Sequence, residues 1–168
     1  MAWSARRSLR FLFLRFKRLQ GSPHALALGV AIGTFIGITP TIPLHTALIV
    51  PITLLSRSST IAGVLAAGVV SNPLTFAPQY YFSWRVGDWL LPGRLSWEQI
   101  REILRQLTSG QSFGSSLELL GRIGQDAAAV MLLGGVLLAL PFAIAAYPLS
   151  HRFFAMIRRK RREKHILN

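Results

Sequence analysis

Polar side chains that could bind a substrate lie beside prolines, inside otherwise apolar stretches of this sequence. They are Thr39, Thr41, His45, Asn72 and Thr75. The prolines nearest to them are Pro40, Pro43, Pro73 and Pro78. Proline releases backbone groups from a helix, and hydroxyl, amide and imidazole groups can satisfy these groups or hold a substrate. The sequence therefore predicts either two binding sites at broken helices or two kinks that only shape packing.

Two arginines flank the second of these stretches. Arg57 precedes the stretch and Arg85 follows it. A guanidinium group can hold a lipid phosphate by two parallel hydrogen bonds. Arginines at such positions also mark the ends of membrane helices. The sequence leaves both interpretations open and makes both residues candidate substrate ligands.

Acid–base and metal chemistry find little support in the sequence. All six carboxylates lie outside the long uncharged runs, and the chain has no cysteine. His45 is the only histidine within a predicted membrane segment, and the other three are scattered. The sequence contains no zinc, phosphate-loop or nucleophile-elbow motif. We therefore expect no catalytic residue, no metal, no cofactor and no enzymatic activity.

Three uncharged runs dominate the 168 residues, at 19–56, 58–84 and 127–151. A membrane-spanning helix needs about 20 predominantly apolar residues, and each run is long enough. The chain is 51% hydrophobic and only 15% charged. These features predict an integral membrane protein.

The net charge of +13 lies almost entirely at the two ends. Residues 1–18 hold six basic residues and no acid, and residues 152–168 hold seven basic residues and one acid. This distribution argues against a nucleic-acid surface. It favours anionic lipid headgroups as partners, and the positive-inside rule predicts cytoplasmic ends in a bacterial inner membrane.

Small residues recur every four positions ahead of both breaks, which places them on one face of each helix. We expect these faces to mediate helix packing, because small residues let two backbones approach closely in lipid. The packing residues are Gly29, Gly33, Gly37, Gly63 and Ala67.

The predicted fold is all-α, with three to four membrane segments. Residues 1–20 form a basic amphipathic surface helix, 21–151 the membrane domain and 152–168 a basic cytoplasmic tail. Within the membrane domain we expect broken, Gly-rich segments at 25–56 and 59–84, an amphipathic extracytoplasmic region at 85–126 and a span at 127–150. If both ends are cytoplasmic and the last span crosses the membrane once, region 85–126 lies outside. Residues 19–84 must then cross the membrane an odd number of times. Segment 25–56 is then either re-entrant or crossing.

Several motifs in order resemble a small bacterial membrane family, domain-of-unknown-function family 2062. They are Ser22-Pro23, the Gly-rich stretch 27–33, Pro40, the Asn-Pro-Leu-Thr stretch 72–75, and Tyr80 with Arg85 and Gly87. The family has no agreed activity, and some of its members carry this domain beside a glycosyltransferase. Two functions therefore stand as expectations. The first is binding or movement of a lipid or small anionic substrate at the broken helices. The alternative is a non-enzymatic scaffold or partner of an envelope glycosyltransferase or lipid-linked sugar pathway.

Overall fold

The computed structural model describes residues 14–16, 19–41, 44–94, 96, 98, 101, 105 and 124–166. Five helices lie within these residues, residues 14–16 are helical as well, and no strand occurs among them, which confirms the all-α class for this part of the chain. The helices are α1 (Pro23–Ile38), α2 (His45–Leu55), α3 (Thr60–Val70), α4 (Pro73–Leu90) and α5 (Gly124–Ile166). Most of the predicted surface helix at 1–20 and of the region 85–126 lies outside the described residues.

The first apolar run is divided as its prolines predict. Ser22 caps α1 by accepting a hydrogen bond from the amide of Ala25 at 3.1 Å, and Pro23 occupies the first turn. The helix ends at Ile38, because Pro40 disfavours helical geometry in the residue before it. Residues 39–44 separate α1 from α2, so 25–56 forms two helices.

The other prolines have different structural roles. Pro73 begins α4, a position where a missing N–H costs little. Pro78, which we predicted among the breaks, lies inside α4, and the helix continues to Leu90. Pro141 lies inside α5 in the same way. A proline within a membrane helix is tolerated where neighbouring groups satisfy the carbonyl that it leaves unpaired.

The two rows of small residues pack against each other in parallel. Gly29 lies against the backbone of Ser59, Gly33 against that of Gly63, and Gly37 against that of Ala67. The amide of Ser59 also donates to the carbonyl of Ala25 at 3.0 Å, a bond between the starts of the two helices. A side chain at Gly33 would overlap the carbonyl oxygen of Gly63, so this approach depends on glycine.

Helix α5 runs antiparallel to both α1 and α4. Its Gly134 lies against the backbone of Ser83 and Gly87 on α4, and its Gly135 lies against the ring of Pro40. Near its other end, Phe154 packs with Leu26 of α1 and Ala62 of α3. The helix therefore connects the first break to the opposite end of the bundle.

The outer surface of α5 is strongly apolar. The segment Ala128–Arg161 is long and apolar enough to cross a membrane, and only 28% of its most apolar window is buried. Helices α3 and α4, bent by 89° at residues 71–74, pass the same test only when they are taken together. Helices α1 and α2 are apolar but shorter. Among the described residues, therefore, one helix could span a membrane alone.

Helix α5 also continues beyond the predicted span. It has 43 residues and does not end at Ser150, so the described part of the predicted basic tail is helical up to Ile166.

Candidate functional site

The first break is buried where α1, α4 and α5 meet. Thr39 is only 4% exposed, and Pro40 lies against Gly135 of α5. The side-chain amide of Gln79, on α4, donates a hydrogen bond to the carbonyl of Gly37. In a continuous helix that carbonyl would accept from the amide of Thr41, which instead donates to Thr39 at 2.7 Å. Gln79 therefore satisfies a backbone group that the break releases.

The predicted substrate ligands at this break form hydrogen bonds mainly with backbone carbonyl groups of the break itself. The Thr39 hydroxyl donates to the carbonyl of Phe35 at 2.9 Å. The Thr39 carbonyl lies 3.2 Å from Nε2 of His45 and 3.4 Å from the hydroxyl of Thr41. Because a carbonyl only accepts, His45 carries its proton on Nε2 when it makes this bond. The structure thus brings Thr39, Thr41 and His45 together around one carbonyl. Pro43 lies outside the described residues.

The second break is satisfied by two side chains that bond to each other's backbone. The amide of Asn72 donates to the hydroxyl of Thr75 at 3.0 Å, and the amide of Thr75 donates to Oδ1 of Asn72 at 3.3 Å. The Thr75 hydroxyl also donates to the carbonyl of Val70 at 2.6 Å, and Nδ2 of Asn72 to that of Val69 at 3.0 Å. This reciprocal arrangement is typical of a capped helix start and closes the end of α3 as well.

Two buried polar side chains on α4 were missed by the sequence analysis. Gln79 and Ser83 are one helical turn apart on the face turned towards α1 and α5, and Ser83 is fully buried. Within the described part of the chain, Oε1 of Gln79 and Oγ of Ser83 have no hydrogen-bond partner. The available signal was their spacing of four residues within an apolar run, which is the spacing of neighbours on one helix face.

The two candidate arginines lie away from this buried pair. Arg57 is exposed in the turn between α2 and α3, with a left-handed φ of 51°. Arg85 is exposed and lines a shallow groove with Asp88 and Trp89. Because two residues of helix turn the chain by about 200°, Arg85 faces almost opposite to Ser83. The structure therefore does not bring either guanidinium to the breaks.

The side chains at the breaks are suited to hydrogen bonding. No carboxylate occurs in α1, α2 or α3, and no group of three metal-binding side chains forms among the described residues. The buried polar atoms are hydroxyl, amide and carbonyl groups, with one imidazole. Such atoms can form hydrogen bonds to polar groups of a bound molecule. They constitute a candidate binding site around Thr39, Gln79 and Ser83.

The comparisons with known proteins agree with the resemblance noted in the sequence. No curated protein and no solved structure matches the chain. The sequence profile of a bacterial family described as "uncharacterized protein conserved in bacteria" (DUF2062) matches residues 6–163. This range includes both breaks, the glycine-lined contact of α1 with α3, and nearly all of α5. The chain therefore belongs to this bacterial family, whose description assigns it no activity.

Proposed function

We propose that this protein is a multi-pass protein of the bacterial inner membrane that binds or moves a lipid or small anionic substrate at its broken helices. One observation carries the proposal. Gln79 and Ser83 present buried, unpartnered oxygens beside the first break, inside a bundle with an apolar outer surface. Polar groups buried in a membrane are costly and often mark a substrate pathway.

The exposed surface of α5 supports membrane insertion. Large apolar side chains on its outside include Leu133, Phe142, Ile144 and Leu149. A core helix of a soluble protein would be mostly buried, whereas this helix is not. An apolar surface of this extent needs lipid or another protein to cover it.

The chain direction supports two crossings and one re-entrant hairpin. Helices α1 and α2 have 16 and 11 residues, about 24 and 17 Å, and each is shorter than the hydrocarbon core of about 30 Å. The bond from Ser59 to Ala25 shows that the chain returns to the end where α1 began. We therefore propose that α1 and α2 enter and leave on the cytoplasmic side. The bent pair α3–α4 then crosses once, and α5 crosses back.

Cysteine labelling tests this topology without background, because the chain has no cysteine. We expect Ser56→Cys, at the exposed turn after α2, to react with a membrane-impermeant thiol reagent only from the cytoplasmic side. We expect Gly110→Cys to react only from the other side. Labelling of both positions from the same side would refute the two-crossing arrangement.

The chemistry of the buried pair favours one type of substrate. The amide nitrogen of Gln79 is engaged by Gly37, so its oxygen is left to accept a hydrogen bond. The Ser83 hydroxyl can donate or accept. A lipid headgroup has phosphate oxygens together with O–H or N–H donors, so it suits this pair better than a simple anion with acceptors alone.

A liposome assay of lipid movement tests the function. We expect Ser83→Ala to reduce movement at least tenfold, because it removes one of the two available polar groups and little volume. Asn72→Ala and Thr41→Val should also abolish movement while expression is maintained, because each alters a break. The matched control is Ser56→Ala at an exposed position, which should move lipid like the wild type. Equal activity of Ser83→Ala and wild type would contradict the proposal.

The scaffold alternative is favoured by a different observation. Thr39, Thr41, His45, Asn72 and Thr75 are all engaged in local hydrogen bonds, as a purely structural break requires. The cationic end of α5 is exposed, and an envelope glycosyltransferase is the partner that the family resemblance suggests. Under this alternative, neutralising residues 158–164 disrupts partner association, and the substitutions at the breaks have no effect on it.

A further inference from the structure

Two histidines from opposite ends of the sequence meet through a tyrosine. Nδ1 of His24, in the first turn of α1, lies 2.7 Å from the hydroxyl of Tyr147 on α5. The ring of Tyr147 stacks on that of His151 one turn later, with centroids 5.9 Å apart. His24 is exposed, and the other two rings are half-buried. The cluster therefore presents imidazole groups at the surface of the bundle.

The cluster lies where the surface of α5 changes from apolar to cationic. Leu149 is 67% exposed, and only three residues later Arg152 is exposed as well. Further along the helix, Arg158, Arg159 and Lys160 are exposed. In a membrane protein this transition marks the depth of the lipid phosphates.

Positive charge at this end of the bundle has little compensation from the helices that the structure describes. Helices α1, α2 and α3 contain no acidic residue. Beyond Asp126, the only acid on α5 is Glu163, which binds Arg159 at 3.0 Å. No carboxylate of these four helices therefore faces His24 and Arg152, and an anion can approach them.

We propose that His24, Tyr147 and His151 form a binding site for the phosphodiester of a membrane phospholipid. The site rests on the membrane location proposed above and is separate from the pair Gln79 and Ser83. When the Tyr147 hydroxyl donates to Nδ1 of His24, the imidazole carries its proton on Nε2, which can donate to a phosphate oxygen. The exposed Arg152, next to His151 in the sequence, adds positive charge to this end of the bundle, and Tyr147 is a positioning residue.

Binding of short-chain phosphatidylglycerol to the purified protein in detergent tests the site. The readouts are the lipid-dependent rise in unfolding temperature and retention of the lipid in native mass spectrometry. We expect His24→Ala to weaken binding about tenfold, as for the loss of one hydrogen bond to a charged group. Tyr147→Phe keeps the ring and removes the hydroxyl, so we expect a loss of about threefold.

Two controls separate this site from general attraction. Lys160→Gln removes one positive charge two turns beyond the cluster and should change the affinity by less than about twofold. His151→Ala, which removes the ring stacked on Tyr147, provides a second test if His24→Ala fails to fold, and it should also weaken binding.

Three outcomes would overturn the assignment. Equal weakening by Lys160→Gln and His24→Ala would indicate diffuse charge attraction. Saturation by inorganic phosphate with the same dependence on His24 would indicate a site for free phosphate. If lipid raised the unfolding temperature of neither the wild type nor any variant, a binding site would be excluded. A failure of membrane insertion itself would appear in fractionation and cysteine labelling, so the two proposals can fail independently.

Discussion

At the first break Thr39 is buried, and contacts from α4 and α5 enclose it, whereas at the second break Asn72 and Thr75 are half-buried. The first break depends on Gln79, which is 42 residues from the carbonyl that it binds. At the second break, the hydrogen bonds of Asn72 and Thr75 described above join residues within five positions of each other. Similar runs of small residues followed by proline therefore end in a long-range junction in one case and a local cap in the other.

This difference identifies the first break as the better candidate for binding. When neighbouring side chains already satisfy the backbone groups at a break, these groups need no further hydrogen-bond partner. A break enclosed by three helices can respond to a ligand, because any change there alters contacts with α4 and α5. Four substitutions test this comparison.

The largest effect is expected at the helix contact that leads to the first break. Gly33→Ala places a methyl group against the Gly63 carbonyl, so α1 and α3 must separate. We expect a loss of roughly 3 kcal/mol or failure to accumulate, at the upper end of overpacking effects. The matched control is Gly68→Ala, which meets open space inside α3 and should be neutral or slightly stabilising, because alanine is the better helix former. Thermal unfolding in detergent measures the stability of both variants. Equal midpoint temperatures would contradict a close contact between Gly33 and Gly63.

The next effect concerns the long-range bond of the first break. Gln79→Leu leaves the Gly37 carbonyl buried and unpaired, so we expect a loss of about 2 kcal/mol in unfolding free energy. Ser83→Ala is the control on the same face, since its hydroxyl has no partner among the described residues. This substitution should be neutral or slightly stabilising, because the buried hydroxyl has no hydrogen bond to lose. If Ser83→Ala lowered the free energy of unfolding more than Gln79→Leu, then Ser83 rather than Gln79 would stabilise the first break.

A smaller effect is expected at the second break. Asn72→Ala removes a helix cap and should cost about 1 kcal/mol, as capping substitutions usually do. Because Asn72 and Thr75 bond to each other, the double variant with Thr75→Val should cost less than the sum of the single changes. A double-mutant cycle with additive losses would show that the two residues act independently.

The smallest effect is expected within the first break. The Thr41 hydroxyl lies 3.4 Å from the Thr39 carbonyl, which is long for a hydrogen bond. Thr41→Val should therefore cost less than about 0.5 kcal/mol in stability, although the proposed function requires it to reduce lipid movement. A large loss of stability would make this variant uninformative about movement and would assign Thr41 a structural role.

Local sequence patterns predicted much of this fold. The division of residues 25–56 near Pro40 and the start of α4 at Pro73 follow from the missing N–H and fixed φ of proline. The four-residue spacing of small side chains predicted a packing face on α1 and another on α3, but not that the two faces meet. The last membrane span was predicted at 127–150 because the apolar run stops there, and the helix that contains this segment continues to Ile166. Charged residues such as Arg and Lys are good helix formers, so a change of polarity does not end a helix.

The sequence by itself determined the apolar runs, the basic ends, the breaks and the absence of acids from the first three helices, because these follow from composition and from local backbone chemistry. Only the tertiary structure decided that Gln79 reaches the first break and that His24 meets Tyr147, 123 residues away. A hydrogen bond between distant residues depends on how the helices pack, and periodicity along one helix carries no information about its partner. The candidate binding pair and the proposed phosphate site both depend on that packing.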